Sequence, residues 1–151
     1  MKLEGRGTFE NSKCVKEFVQ RMIAKGCSAF VLDLEKCELM DSTFMGTLAS
    51  VAFSLRDLDS GLLRVIHANE RNFSLLEGLG LDHLFQLEPE PVHDSPPSLR
   101  TAGPLSSNSD EHRIAILEAH EALVDADPRN AVRFQDVIEY LRQEIADGRS
   151  C

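Results

Sequence analysis

Two hydroxyl side chains, Ser42 and Thr43, stand directly behind an acid, Asp41, and directly ahead of a long apolar run in CELMDSTFMGTLASVAFSL, residues 37 to 55. One chemistry open to such a triplet is N-capping, in which a side-chain oxygen accepts a backbone N–H that the first helical turn leaves unpartnered. A second is phosphorylation. A hydroxyl in a first helical turn is reachable from solvent, and a phosphate there carries about −1.5 to −2 charges that the helix dipole partly stabilises. The two roles are compatible, because capping uses one side chain of the three.

Other reactive constellations are incomplete. His120-Glu121-Ala122-Leu123-Val124 has valine where the second ligand of an HExxH zinc helix must stand. Asp33, Glu35 and Asp41 supply carboxylates for acid–base or Mg2+ chemistry, yet no nucleophile and base complete them. Gly78-Leu79-Gly80 follows a helical stretch instead of opening one, so it reads as a helix stop and not as a phosphate grip. Cysteines 14, 27, 37 and 151 form no CxxC pair and read as reduced thiols. The expectation is a protein without catalytic residues, metal or cofactor.

Composition narrows the partners. The chain has 151 residues, 42% of them apolar, enough for one ordinary core and an appendage. Its net charge of −9 is unevenly spread, with −2 on residues 1–87 and the remainder beyond them. Without a basic stripe, direct nucleic-acid binding is not expected. No stretch approaches the roughly 20 apolar residues of a membrane span and MKLEGRGTFE has no apolar leader region, so a cytoplasmic protein is expected.

Several elements must hold the hydroxyl pair in place. MKLEGRGTF alternates Leu3, Gly5, Gly7 and Phe9 with polar residues, a period-2 pattern for an edge strand. Val15, Phe18, Val19, Met22 and Ile23 give a helical stripe, with Asn11 or Ser12 as start and Gly26 as stop. SAFVLDLE (28–35) reads as a buried strand, and Ser42 opens a helix apolar nearly all round, which needs cover. LLRVIH (62–67) reads as a strand, NERNFSLLEGLG as a helix capped by Asn69, and LDHLFQLE as a last short strand. The β-α-β-α-β-α-β order predicts an α/β fold, a small four- or five-stranded sheet with helices packed on it.

Five of the six prolines fall within residues 89–109, a linker composition that separates a domain at 1–88 from an acidic segment at 110–151. There Ile116, Ala119, His120 and Leu123 share one helical face, Asp127-Pro128 marks a stop and restart, and Phe134, Val137, Ile138, Leu141 and Ile145 form a second stripe. The result is a helical hairpin too small to bury both stripes alone. It must dock on the first domain, on a second copy as a homodimer, or on another protein.

VLDLEKCELMDSTFMGTL resembles the strand, loop and helix start of the STAS domain of the anti-sigma factor antagonist family, in which Leu-Asp-Leu and a short spacer precede Asp-Ser-Ser/Thr-Gly-x-Gly. LLEGLGLDHLFQL is similar to that family's close, and the likeness covers most of residues 1–88. The resemblance implies a bacterial anti-sigma factor antagonist (anti-anti-sigma factor), a phosphoprotein of signalling and transcription regulation that is not an enzyme. It further implies partner switching: Thr43 is the phosphoacceptor, Ser42 a cap or secondary acceptor, and Asp41, Phe44, Met45 and Gly46 meet an anti-sigma factor that doubles as a serine/threonine kinase.

Phosphate at Thr43 beside Asp41 then adds like-charge repulsion and a desolvation cost to that protein–protein interface, shifting it by several kcal/mol. Phe44 departs from the family glycine; its ring either packs beneath the helix or faces the partner. The alternative reading is a ligand-sensing or scaffolding STAS domain that is never phosphorylated and needs a pocket. A detached cytoplasmic part of an anion transporter fits less well, because the chain has no spanning segment of its own.

Overall fold

The computed structural model describes residues 1–89 and 109–148. Strand β1 (Lys2–Gly7) leads through Thr8 into helix α1 (Phe9–Ala24), and β2 (Ala29–Met40) leads through Asp41 into α2 (Ser42–Arg56). Strand β3 (Leu62–Ala68), α3 (Glu70–Gly78), a 3-10 turn (Leu81–His83) and β4 (Gln86–Pro89) complete the first unit. Helices α4 (Ser109–Ala126) and α5 (Asn130–Gly148) follow. Of the expected linker, 89–109, residues 90–108 lie outside the described residues. Among the described residues no helix is long and apolar enough to cross a membrane.

The strands form one four-stranded sheet in the order β1-β2-β3-β4 with every pair parallel. Leu3, Leu32, Leu34, Leu63 and Val65 are buried on the covered face, while Lys2, Glu4, Arg6 and Val31 between them are exposed. A monotonic order with right-handed crossovers places the crossover helices on one face, which accounts for that alternation.

Three local expectations are corrected. Helix α1 starts earlier than Asn11 or Ser12: its N-cap is Thr8, whose N–H donates to the Asn11 side-chain oxygen (3.2 Å), while the Ser12 hydroxyl returns to the Thr8 carbonyl (3.0 Å). Strand β2 does not stop near residue 35 but runs to Met40, so no loop precedes Asp41. Its second half pairs with β1 (Glu4↔Lys36, Gly5↔Cys37, Gly7↔Met40) across register shifts. Those irregularities break the period-2 pattern on which a sequence reading of the strand rests. Finally, LDHLFQLE is mostly turn: Leu81, Leu84 and Phe85 recur at helical spacing behind Gly80 (φ 71°), and only Gln86–Pro89 pairs.

The hairpin docks on the first unit. Leu123 is fully buried and, with Ala122, belongs to the main core. The Asn130 side-chain amide donates to the Leu79 carbonyl (2.9 Å) and to the Leu123 carbonyl (2.7 Å), and Arg133 donates to Gly78 (3.2 Å). These bonds tie the α4–α5 turn to the end of α3. Between the two helices Arg142 pairs with Glu121 (2.6 Å) and Arg113 with Glu144 (3.5 Å). Along the α5 stripe Ile138 and Leu141 are buried, but Val137 is exposed, as is neighbouring Tyr140.

Candidate interaction site at the start of α2

Strand β2 delivers Asp41 to the mouth of the fold, and Asp41 caps α2: its Oδ1 accepts the Phe44 N–H at 2.8 Å. Capping thus falls to the acid and leaves both hydroxyls free for other contacts. Asp41→Ala is expected to lower unfolding free energy by about 1 kcal/mol, the usual worth of an N-cap, measured by urea titration.

The next residues divide between two directions. Phe44 turns inward and is completely buried; a Cβ on Gly7 would meet its ring at 2.8 Å, so the ring occupies space that β1 leaves open by having glycine there. Met45 is 4% exposed and also joins the core, so the expectation that the Phe44 and Met45 side chains meet a partner is corrected: both are taken up by the packing beneath α2. Of the two alternatives for Phe44, the structure shows the ring packed beneath the helix. Ser42, Thr43 and Gly46 face α4 or the space beside it. A Cβ on Gly46 would run into the Ala119 backbone carbonyl, so α4 sits on α2 at a spacing that only glycine permits.

Ser42 Oγ lies 3.0 Å from Nε2 of His120, whose Nδ1 is 2.7 Å from the Ile116 carbonyl. A carbonyl only accepts, so in the neutral ring Nδ1 carries the proton and Nε2 receives the Ser42 hydroxyl. His120 is 4% exposed and also meets Phe134 edge-on at 5.1 Å. Sequence reasoning placed His120 on the apolar face of its helix without giving it a role. The signal was there: a histidine within an apolar stripe needs a polar partner across the interface.

Thr43, expected from its place in a first helical turn to be reachable from solvent, is instead buried at 8% exposure, because α1 and α4 pack around the start of α2. It lines a cavity of about 240 Å³ between α1, α2 and α4, together with Phe9, Ser12, Thr47, His112 and Ala119. Its hydroxyl takes no hydrogen-bond partner among the described residues, whereas the Thr47 hydroxyl returns to the Thr43 carbonyl at 3.0 Å. At the rim Lys13 pairs with Glu111 (3.7 Å) and Lys16 with Glu118 (3.1 Å), and the Phe9 and His112 rings stack with centroids 3.6 Å apart.

The carboxylates considered for metal chemistry separate. Asp41 is spent on its cap, while Asp33 and Glu35 sit with His67 in a group whose ligand atoms lie within 4.8 Å. Burial alone would raise the Asp33 carboxyl, but the Glu35 N–H (3.0 Å) and His67 (2.9 Å) outweigh it and hold the group below the ordinary carboxylate range. Both bonds go to the same oxygen, Oδ1.

The site is therefore a capped helix start with two hydroxyls and a glycine aligned toward a second helix. No curated protein matches the chain. Residues 1–88, more than half of the chain, match the family model described as "Mlab, STAS domain". With the parallel sheet and the Asp41-capped helix in place, that match identifies the chain as a member of the STAS-domain family.

Proposed function

We propose that this protein is an anti-sigma factor antagonist that works by partner switching, acting by binding and not by catalysis. The start of α2 is its interaction face, and Thr43 is the hydroxyl whose phosphorylation sets affinity for an anti-sigma factor that is also a serine/threonine kinase. The observation that carries this reading is the division of labour at the helix start. Asp41 alone does the capping, so Thr43 keeps a hydroxyl with no structural duty at the positive end of a helix. Phosphate added there stands beside the Asp41 carboxylate, and the like charges disfavour any partner that has to desolvate them.

Recovery of the protein from its own cells, in growth and under stress, tests this by intact mass. One added phosphate mapped to Thr43, absent in Thr43→Ala, is the expected result. A chain that carries phosphate in neither condition, or only at positions away from residues 42 and 43, removes the switch. The cavity beside Thr43 favours a second reading, a ligand-sensing STAS domain. That reading predicts the opposite outcome: no phosphate, and a small molecule retained by the wild-type protein but lost when Thr47→Phe fills the cavity.

A further inference from the structure

We propose that the α4–α5 hairpin is a displaceable occupant of the α2 interaction face, held there in cis, so that a partner reaches Ser42 and Thr43 only after α4 has left its seat. The proposal rests on reading Asp41, Ser42, Thr43 and Gly46, the residues of this stretch whose side chains do not enter the core, as the partner face. Three observations carry it.

First, α4 covers the residues that a partner or kinase has to reach. The Ala119 backbone lies against Gly46, His120 holds the Ser42 hydroxyl, and Thr43 is 8% exposed. A phosphotransfer enzyme needs the Thr43 oxygen at its own nucleotide, which a helix packed over it forbids.

Second, the covered face of α2 has the composition of a surface that also meets water. Phe44, Leu48 and Leu55 of α2 are buried in the core, whereas Ser42, Thr43, Gly46, Thr47 and Ser50 bond α4, approach it or line the cavity beneath it. A permanent seam between helices is normally filled with apolar side chains at interior density. Here Ala119, Ala122 and Leu123 of α4 are buried as such a seam requires, but Thr43, Thr47 and Ser50 of α2 border a cavity of about 240 Å³ between α1, α2 and α4.

Third, the contacts at the near edge are of a kind that exchanges readily. Lys13–Glu111 and Lys16–Glu118 are ion pairs between side chains that are 39% exposed or more, which add little to stability. The hairpin stays tethered when it leaves, because 19 residues separate Pro89 from Ser109. It then competes for the face at a high effective concentration, which sets a threshold for any partner. A partner that takes the seat has to offer what α4 offers: a helix with a small residue against Gly46 and an acceptor for Ser42.

Thiol labelling of the full chain tests the displacement without any partner. Thr43→Cys places a near-isosteric thiol under α4, and the protein carries two internal standards: Cys14, exposed, and Cys37, buried in the sheet. Labelled with excess iodoacetamide and located by peptide mass, the introduced thiol is expected to react about a hundredfold slower than Cys14 and at least about tenfold faster than Cys37, the pattern of a local opening. Thr47→Cys, on the same face, serves if the first variant fails to fold. Labelling of the introduced thiol at the Cys14 rate shows a face that is never closed, and labelling together with Cys37 shows a hairpin that leaves only on global unfolding. Either result overturns the proposal. Because the rates report cover and thiolate fraction and involve no phosphate, they stand or fall separately from phosphorylation, which the intact-mass measurement decides.

Discussion

Phe44→Ala is expected to lower the unfolding free energy by about 3–5 kcal/mol, a large share of what a domain of this size possesses. The ring is completely buried, lies over Gly7 of β1 and belongs to the main core. Truncation removes its transfer free energy and leaves a cavity that cannot collapse, because the backbones of β1 and α2 fix its walls. The family pattern has glycine here, so Phe44→Gly has the look of a return to type. On packing grounds it is the worse variant, adding roughly 1 kcal/mol of helix propensity loss to the cavity. Urea titration of both against the wild type decides, and a midpoint unchanged by Phe44→Ala would place the ring in a partner's pocket and not in this core.

That residue also shows where sequence reading reached its limit. The hydroxyl pair, the helix behind it and the alternation of strands and helices were legible because each is written in local periodicity or cap chemistry: Leu3 against Lys2 and Glu4, Asn69 ahead of α3, Asp41 ahead of α2. The inward turn of Phe44 was not legible, since it depends on a glycine 37 positions away being its neighbour in space. The second half of β2 was hidden for a related reason. KCEL alternates polar with apolar residues, but out of phase with the preceding LDLE: Leu34 and Cys37 are both buried although three apart, because β1 pairs with this stretch across shifts of register. Docking of the hairpin stood as one of three options, and His120 was the side chain that distinguished them. Its partner is Ser42, a long-range contact that no spacing rule encodes.

Leu123→Ala is the second variant with a large expected effect, about 2–5 kcal/mol, and its form matters more than its size. Leu123 is the fully buried side chain through which the hairpin joins the main core. The loss is bounded, however, by the free energy with which α4 docks. Once the hairpin is off, residue 123 faces water, and nothing further done to it reaches the sheet. Leu123→Asp, which inserts a charge into the same site, is therefore expected to free the hairpin while β2 and β3 remain folded. Amide exchange in α4 and α5 then approaches that of unfolded chain, and β2 and β3 keep most of their protection. If Leu123→Asp instead unfolds the sheet together with the hairpin, the two belong to one cooperative unit. In that case α4 is a wall of the core and not an occupant of its surface, and the Asp41–Gly46 face has no open state to offer.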